Sequence, residues 1–203
     1  MTEPSHPSPV DPPETPPLEG THIGLRAAVD GVTDEAWSVL ESTDLIDLHV
    51  DGMIPHRLVG YDLNHRHDGS PLGGRFFGHL DFPRAAENRL AGAMWSITTN
   101  PFRTRAGRWA TFQRNLAALH QQVERSDGGV VLAKTASEYR LARARGAHVV
   151  LPAVQGGNAL SGAPGGVGDI PDGALTRVTL VHLTNSELGV TSSPFAMGRR
   201  SQG

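Results

Sequence analysis

The sequence predicts an α/β fold built around a parallel sheet, because apolar runs suited to strands alternate with segments of helical character. The first apolar run is nearly continuous and is expected to be buried on both faces, as strands of parallel sheets are. The predicted strands cover residues 45–50, 91–98, 129–133, 147–154 and 177–183. The predicted helices cover residues 32–42, 82–90, 104–124 and 135–146, with Thr33 at one start and Thr135 or Ser137 at another.

Between the first two strands, residues 55–83 are polar and rich in glycine, which predicts a long loop. A loop of this length inside a compact domain usually serves a function. Its four histidines lack the regular spacing of ligands on a strand, so we expect solvated or loosely packed rings and no second metal site. They are His56, His65, His67 and His79.

Composition limits the classes of function. The chain has 203 residues, a formal net charge of -3 and no cysteine. The charge leaves no basic surplus for nucleic acid, and a transition metal would need His, Asp or Glu ligands. Residues 1–22 are expected to form a disordered Pro-rich tail, and residues 23–203 a single domain. No signal peptide or apolar run of roughly 20 residues is seen, so we expect a cytoplasmic protein with no membrane segment.

Candidate metal ligands stand at the end of the first predicted strand, where α/β proteins collect their catalytic groups. Asp47, His49 and Asp51 are spaced by two, so an unbroken strand would turn all three side chains to one face. Imidazole and carboxylate together suit a divalent cation such as Zn²⁺. The alternative is a hydrogen-bonded core histidine beside two loop acids.

Four segments of the chain together resemble the membrane, or renal-type, dipeptidase family of zinc metallopeptidases. They follow the order of the family and span residues 44–203: IDLHVDGMI, PLGGRFFGHLDFPRAAENRLAGAMWSITTN, LPAVQGGNAL and LTRVTLVHLTNSELG. The resemblance implies an incomplete (β/α)₈ TIM-barrel-like metallo-dependent hydrolase, with about the first half of the barrel in this chain.

The resemblance also implies roles for individual residues. His49 and Asp51 correspond to ligands of one of the family's two zinc ions, and Gln155 stands where the family has a bridging Glu. An amide is neutral and has one good acceptor oxygen, so we expect one zinc ion or none here. His182 and Asn185 are expected to bind substrate. The alternatives are an amide that anchors a loop at Gln155 and a capped core histidine at His182.

The function that the resemblance implies is hydrolysis of a dipeptide by metal-activated hydroxide. The family's remaining ligands and its catalytic residues come from the second half of the barrel, so no catalytic residue is expected in this chain. We therefore expect a truncated protein, inactive as it stands. Its expected partners are a dipeptide or related small amide, and either a second copy in a homodimer or a complementing C-terminal half.

Two other functions stay open at this stage. One is a non-catalytic remnant, or a half-barrel that needs a partner chain. The other is an amidohydrolase-type barrel acting on another amide, ester or lactone. That type usually opens with His-x-His, and Asp51 stands against it.

Overall fold

The computed structural model describes residues 32–67, 78–100, 102–171 and 173–193. The predicted tail, residues 1–22, lies outside them. Within these residues the strands are β1 (Leu45–Val50), β2 (Leu90–Thr98), β3 (Val130–Leu132), β4 (His148–Gln155) and β5 (Arg177–Thr179). The helices are α1 (Asp34–Ser42), α2 (Met53–Val59), α3 (Phe82–Glu87), α4 (Arg105–Glu124) and α5 (Ala136–Ala144). Short 3₁₀ turns follow at Gly157–Ala159 and Gly166–Asp169.

Every strand pair in the sheet is parallel, which confirms the predicted α/β class, and the sheet curls as about half of a barrel. The strand order is β1-β2-β4-β3, with β5 also paired to β4. Because β2 occupies one edge of β4, the other edge is shared. Val130 pairs with His148 near its start, and Arg177 pairs with Ala153 near its end. The order therefore departs from that of sequential neighbours, since β4 separates β2 from β3.

The two faces of the sheet carry different helices. On one face Val150 and Val154 join Trp95 and the apolar side of α4 in the main core. On the other face Val149 packs with Ala142 of α5. From β2 the chain crosses beyond the position of β4 to form β3, and it then turns back to form β4 between β2 and β3. The two connections run in opposite directions along the sheet, and right-handed connections in opposite directions place their helices on opposite faces.

Hydrogen bonds from α5 reach the start of β1. Tyr139 donates its hydroxyl to Asp44 at 2.7 Å, and the Nε atom of Arg143 donates to the same carboxylate at 3.1 Å. At its own start α5 has a capping box formed by Thr135 and Glu138, so of the two predicted starts, Thr135 and Ser137, the first is the one observed. Thr33 likewise caps α1, as predicted.

Three sequence predictions are wrong in detail. Strand β1 is not buried on both faces, since Leu45 is 51% exposed and Leu48 is 61% exposed. Within the described residues β1 is an edge strand, which explains this exposure. The predicted loop at residues 55–83 begins inside helix α2, and residues 68–77 lie outside the described parts. The predicted strand 177–183 ends early, at Thr179, because its partner β4 ends at Gln155 and a 3₁₀ turn begins at Gly157.

No helix in the described ranges is both long enough and apolar enough to cross a lipid bilayer.

Candidate functional site

A histidine and an aspartate meet where β1 ends. The Nε2 atom of His49 lies 3.2 Å from Oδ2 of Asp51, and about a third of each side chain is exposed. The second carboxylate oxygen of Asp51 is buried and has no hydrogen-bond partner. A buried oxygen of this kind is costly unless a further group pairs with it.

The separation of the two side chains fits a single bound cation. Ligand atoms about 2.0–2.1 Å from zinc at the tetrahedral angle are themselves about 3.3 Å apart. His49 and Asp51 therefore have the spacing of two neighbouring ligands, and the unpartnered oxygen of Asp51 adds a free anionic acceptor. In the parts of the chain described, no group of three or more His, Asp and Glu side chains is positioned to hold a metal. The two-zinc centre implied by the resemblance is thus not fitted by these residues alone.

Asp47 does not join this pair, so the expectation that all three side chains converge is wrong. Asp47 pairs with Ala93, and Val50 pairs with Trp95, so three steps along β1 match two along β2. This irregularity interrupts the alternation of side chains. The Asp47 carboxylate instead accepts a hydrogen bond from the backbone N–H of His49 at 2.8 Å.

An arginine from β5 reaches the same histidine. The Nη2 atom of Arg177 lies 3.0 Å from Nδ1 of His49 and donates to Ser96 at 2.8 Å, while Nη1 donates to the carbonyl of Leu48. The hydroxyl of Ser96 is also 3.2 Å from Nδ1 of His49. The Nε atom of Arg177 is buried without a hydrogen-bond partner.

The curl of the sheet explains how Arg177 reaches β1. Three inter-strand steps separate β1 from β5 in the order β1-β2-β4-β5. In a flat sheet they would amount to about 14 Å, more than one side chain spans. Sequence reasoning did not predict Arg177. The signal that could have indicated it is a cationic residue at the start of an apolar run, five positions before His182.

Gln155 lies at the end of β4, half-buried, in register with Thr98 and Thr179. Ser96 and Arg177 are each in register with Ala153, one side-chain repeat earlier along the same face. The amide of Gln155 thus occupies the same face of the sheet as the arginine, nearer the carboxyl end. Its role as a replacement for a bridging carboxylate stays a prediction.

His182 follows β5, and the charges of His49 and Asp51 act on its pKa. Burial lowers the pKa of His182, the charge of Asp51 opposes this shift, and His49 adds to it. The backbone of Gly156 comes close to His182, because a Cβ atom at Gly156 would lie 3.6 Å from the Cβ of His182. The φ angle of Gly156 is +98°, a backbone conformation that is unfavourable for residues other than glycine. The Cβ atom of His182 therefore lies near the end of β4.

Asn185 has a supporting contact in the segment after His182. Its side-chain oxygen accepts a hydrogen bond from the backbone N–H of Thr191 at 2.9 Å, and Thr191 donates its hydroxyl to the carbonyl of His182. These contacts hold the His182 backbone in a closed turn. Substrate binding by His182 and Asn185 stays a prediction.

A buried tryptophan supports the turn that carries Asp51. Trp95 is fully buried and donates its Nε1 hydrogen to Nε2 of His148 at 3.2 Å. Its ring lies directly against Gly52, where an added Cβ would be 2.4 Å from Cζ3 of Trp95. Nδ1 of His148 lies 2.8 Å from the carbonyl of Leu90, and burial lowers the pKa of His148. The neutral imidazole therefore donates to Leu90 and accepts from Trp95.

The loop histidines are more ordered than expected. His67 stacks on Tyr61 with ring centroids 3.8 Å apart, and its Nδ1 lies 3.3 Å from the buried carboxylate of Asp81. His56 places Nδ1 2.9 Å from the carbonyl of Tyr61. The expectation of solvated or loosely packed rings is wrong for both, because a buried acid and a backbone carbonyl provide partners.

Comparison with known proteins identifies the family. The family model described as membrane dipeptidase, peptidase family M19, matches residues 33–202. No curated protein sequence is similar enough to count as a match.

Two solved structures are similar to part of the chain. One is the dipeptidase AC, a metallopeptidase of family M19, with 24% identity and a TM-score of 0.48 over 59% of this chain and 37% of that chain. The other is a metallopeptidase from Rhodobacter sphaeroides bound to a phosphinate mimic of the dipeptide L-Ala-D-Ala. It has 20% identity and a TM-score of 0.46 over 58% of this chain and 39% of that chain. The chain covers less than two-fifths of either protein, and likeness at this level supports no inference about the site.

The family model, by contrast, covers most of the sequence. This chain belongs to the membrane dipeptidase family, peptidase family M19.

Proposed function

We propose that this chain carries half of the cation site of a dipeptide hydrolase, with His49 and Asp51 as its ligands. The observation that supports this most strongly is the 3.2 Å separation of His49 Nε2 and Asp51 Oδ2, together with the unpartnered buried oxygen of Asp51. Family membership supports the choice of a dipeptide as substrate. The remaining ligands would come from another chain, which is either a complementing C-terminal half or a second copy of this chain.

The chemistry of such a site is metal-assisted hydrolysis, in which a bound divalent cation lowers the pKa of water and polarises a carbonyl. This chain contributes to binding and orientation. Asp51 supplies the negative charge, and His49 the neutral nitrogen ligand. His182, whose pKa is lowered by burial, would offer a neutral hydrogen-bonding ring to the substrate, with its backbone held by the turn that Asn185 closes.

Zinc binding tests this proposal. We expect equilibrium dialysis to give one zinc ion per chain at saturation, with the affinity lowered at least about tenfold in His49→Ala and in Asp51→Asn. His79→Ala is the matched control, because His79 is exposed and lies outside the site. Unchanged affinity in both site variants would contradict the proposal.

Turnover tests the second part. We expect hydrolysis of L-Ala-D-Ala with zinc only when a C-terminal half from a family member is added to the chain. Failure to hydrolyse it in that mixture, with His49-dependent zinc binding intact, would overturn the assignment of substrate and leave the cation site standing.

A non-catalytic role is the second candidate, and two observations favour it. Gln155 is a neutral amide at the position where the resemblance implies an anionic ligand, and Arg177 places a permanent positive charge against His49. Both changes disfavour a second cation. In this reading the chain binds a partner or one weakly held metal. Under both proposals we expect residues 23–203 to form a single domain and the protein to be cytoplasmic.

A further inference from the structure

We infer that Arg177 holds His49 in the proton arrangement that cannot ligate a metal, so that this arginine and a divalent cation compete for one imidazole. The inference rests on the proposed function of His49 and Asp51. Arg177 is then a positioning residue for the imidazole of His49, and it opposes the binding of a divalent cation there.

Hydrogen-bond chemistry determines the proton positions on His49. A guanidinium has only donors, so the nitrogen that Arg177 contacts at 3.0 Å must be the acceptor. Nδ1 of His49 therefore carries the lone pair and Nε2 carries the proton. That proton faces Oδ2 of Asp51 at 3.2 Å, which is an acceptor. If both ring nitrogens carried protons, the Nδ1–H group of His49 would point at an N–H group of Arg177.

Coordination of a metal requires the opposite arrangement. A cation bound by Nε2 and Asp51 needs the lone pair on Nε2, which leaves the proton on Nδ1. That proton would point at the donor group of Arg177. Ser96 does not decide between the two arrangements, because a hydroxyl both donates and accepts. Metal coordination and the contact between Arg177 and His49 thus exclude each other.

The fold places Arg177 at this position. Its backbone is paired with Ala153 in the sheet, and its guanidinium is fixed by the carbonyl of Leu48 and by Ser96, which is fully buried. The arrangement is nevertheless incomplete, since Nε of Arg177 is buried without a partner.

The first experiment measures the tautomer without any metal. ¹⁵N NMR of the metal-free chain, with the ring signals assigned through His49→Ala, should show His49 protonated at Nε2. Arg177→Met should weaken that preference. A ring protonated at Nδ1 in the wild-type chain would overturn the inference, whatever the metal does.

The second experiment measures zinc affinity in wild-type chain and in Arg177→Met. We expect binding to be roughly ten- to a hundredfold tighter in the variant, the range that corresponds to loss of a hydrogen bond to a charged group. The matched control is Arg125→Met, which removes the same charge from a remote ion pair with Asp62 and should leave affinity unchanged. Arg177→Gln, expected to bind more tightly than wild type, serves if Arg177→Met does not fold.

The outcomes separate this inference from the proposed function. His49-dependent zinc binding that is equal in wild type and in both Arg177 variants overturns the inference alone. Absence of His49-dependent binding in all three proteins overturns the cation site, and the exclusion by Arg177 with it. Tighter binding in the variants that is lost on adding His49→Ala supports both.

Discussion

Replacing Gly52 by alanine should destabilise the chain through a collision beneath the candidate site. Gly52 has helical backbone angles, φ −57° and ψ −22°, so alanine alone would stabilise by about 0.4–1 kcal/mol. The new Cβ, however, would lie 2.4 Å from a ring carbon of Trp95. Trp95 cannot yield easily, because it is fully buried, bonded to His148 and in edge contact with Phe82. Overpacking costs about 1–3 kcal/mol, so after subtraction of the helical gain we expect a net loss of about 1.3 kcal/mol.

Urea unfolding followed by tryptophan fluorescence measures this loss. With a denaturant slope of about 2 kcal/mol/M, the midpoint should fall by about 0.6 M. Gly168→Ala is the control, because a Cβ there meets nothing within 4 Å and its backbone carries no positive φ. Its midpoint should stay within about 0.3 M of wild type. A midpoint for Gly52→Ala equal to or above that of wild type would refute the packing argument.

Three further predictions follow from other contacts. Because His148 has a lowered pKa in the fold, its contribution is complete above the unfolded pKa near 6.5 and falls as pH drops through that value. The free energy of unfolding should therefore decline on acidification, with a weaker decline in His148→Gln; equal slopes would contradict this. Asp81→Asn leaves Arg84 without its buried partner at 2.8 Å and should cost about 2–3 kcal/mol in urea unfolding, whereas a loss below about 0.5 kcal/mol would refute that role. Gln155→Glu should tighten zinc binding about tenfold, while exposed Gln121→Glu should not; no difference between them would speak against Gln155 as a near neighbour of the cation.

Local patterns in the sequence predicted the elements of this fold well. Alternation of apolar runs predicts the parallel sheet. Thr33, and Thr135 as one of two candidates, are predicted helix starts because capping depends only on residues within one turn. These features depend on interactions over short stretches of chain, which sequence spacing reports directly.

The features that sequence spacing did not predict depend on distant partners. The register shift that turns Asp47 away from His49 exists only in the pairing of β1 with β2. Arg177 meets His49 across 128 positions, through a curl that no local pattern encodes. The exposure of Leu48 likewise follows from the edge position of β1, which is a property of the strand order.

The most direct test of the cation site is a crystal structure of the chain soaked with zinc, with anomalous difference density recorded at the zinc absorption edge. We expect one peak within about 2.0–2.2 Å of both the imidazole Nε2 of His49 and a carboxylate oxygen of Asp51, with the guanidinium of Arg177 displaced from the ring. A peak elsewhere, or an empty map between these two side chains at saturating zinc, would contradict the account.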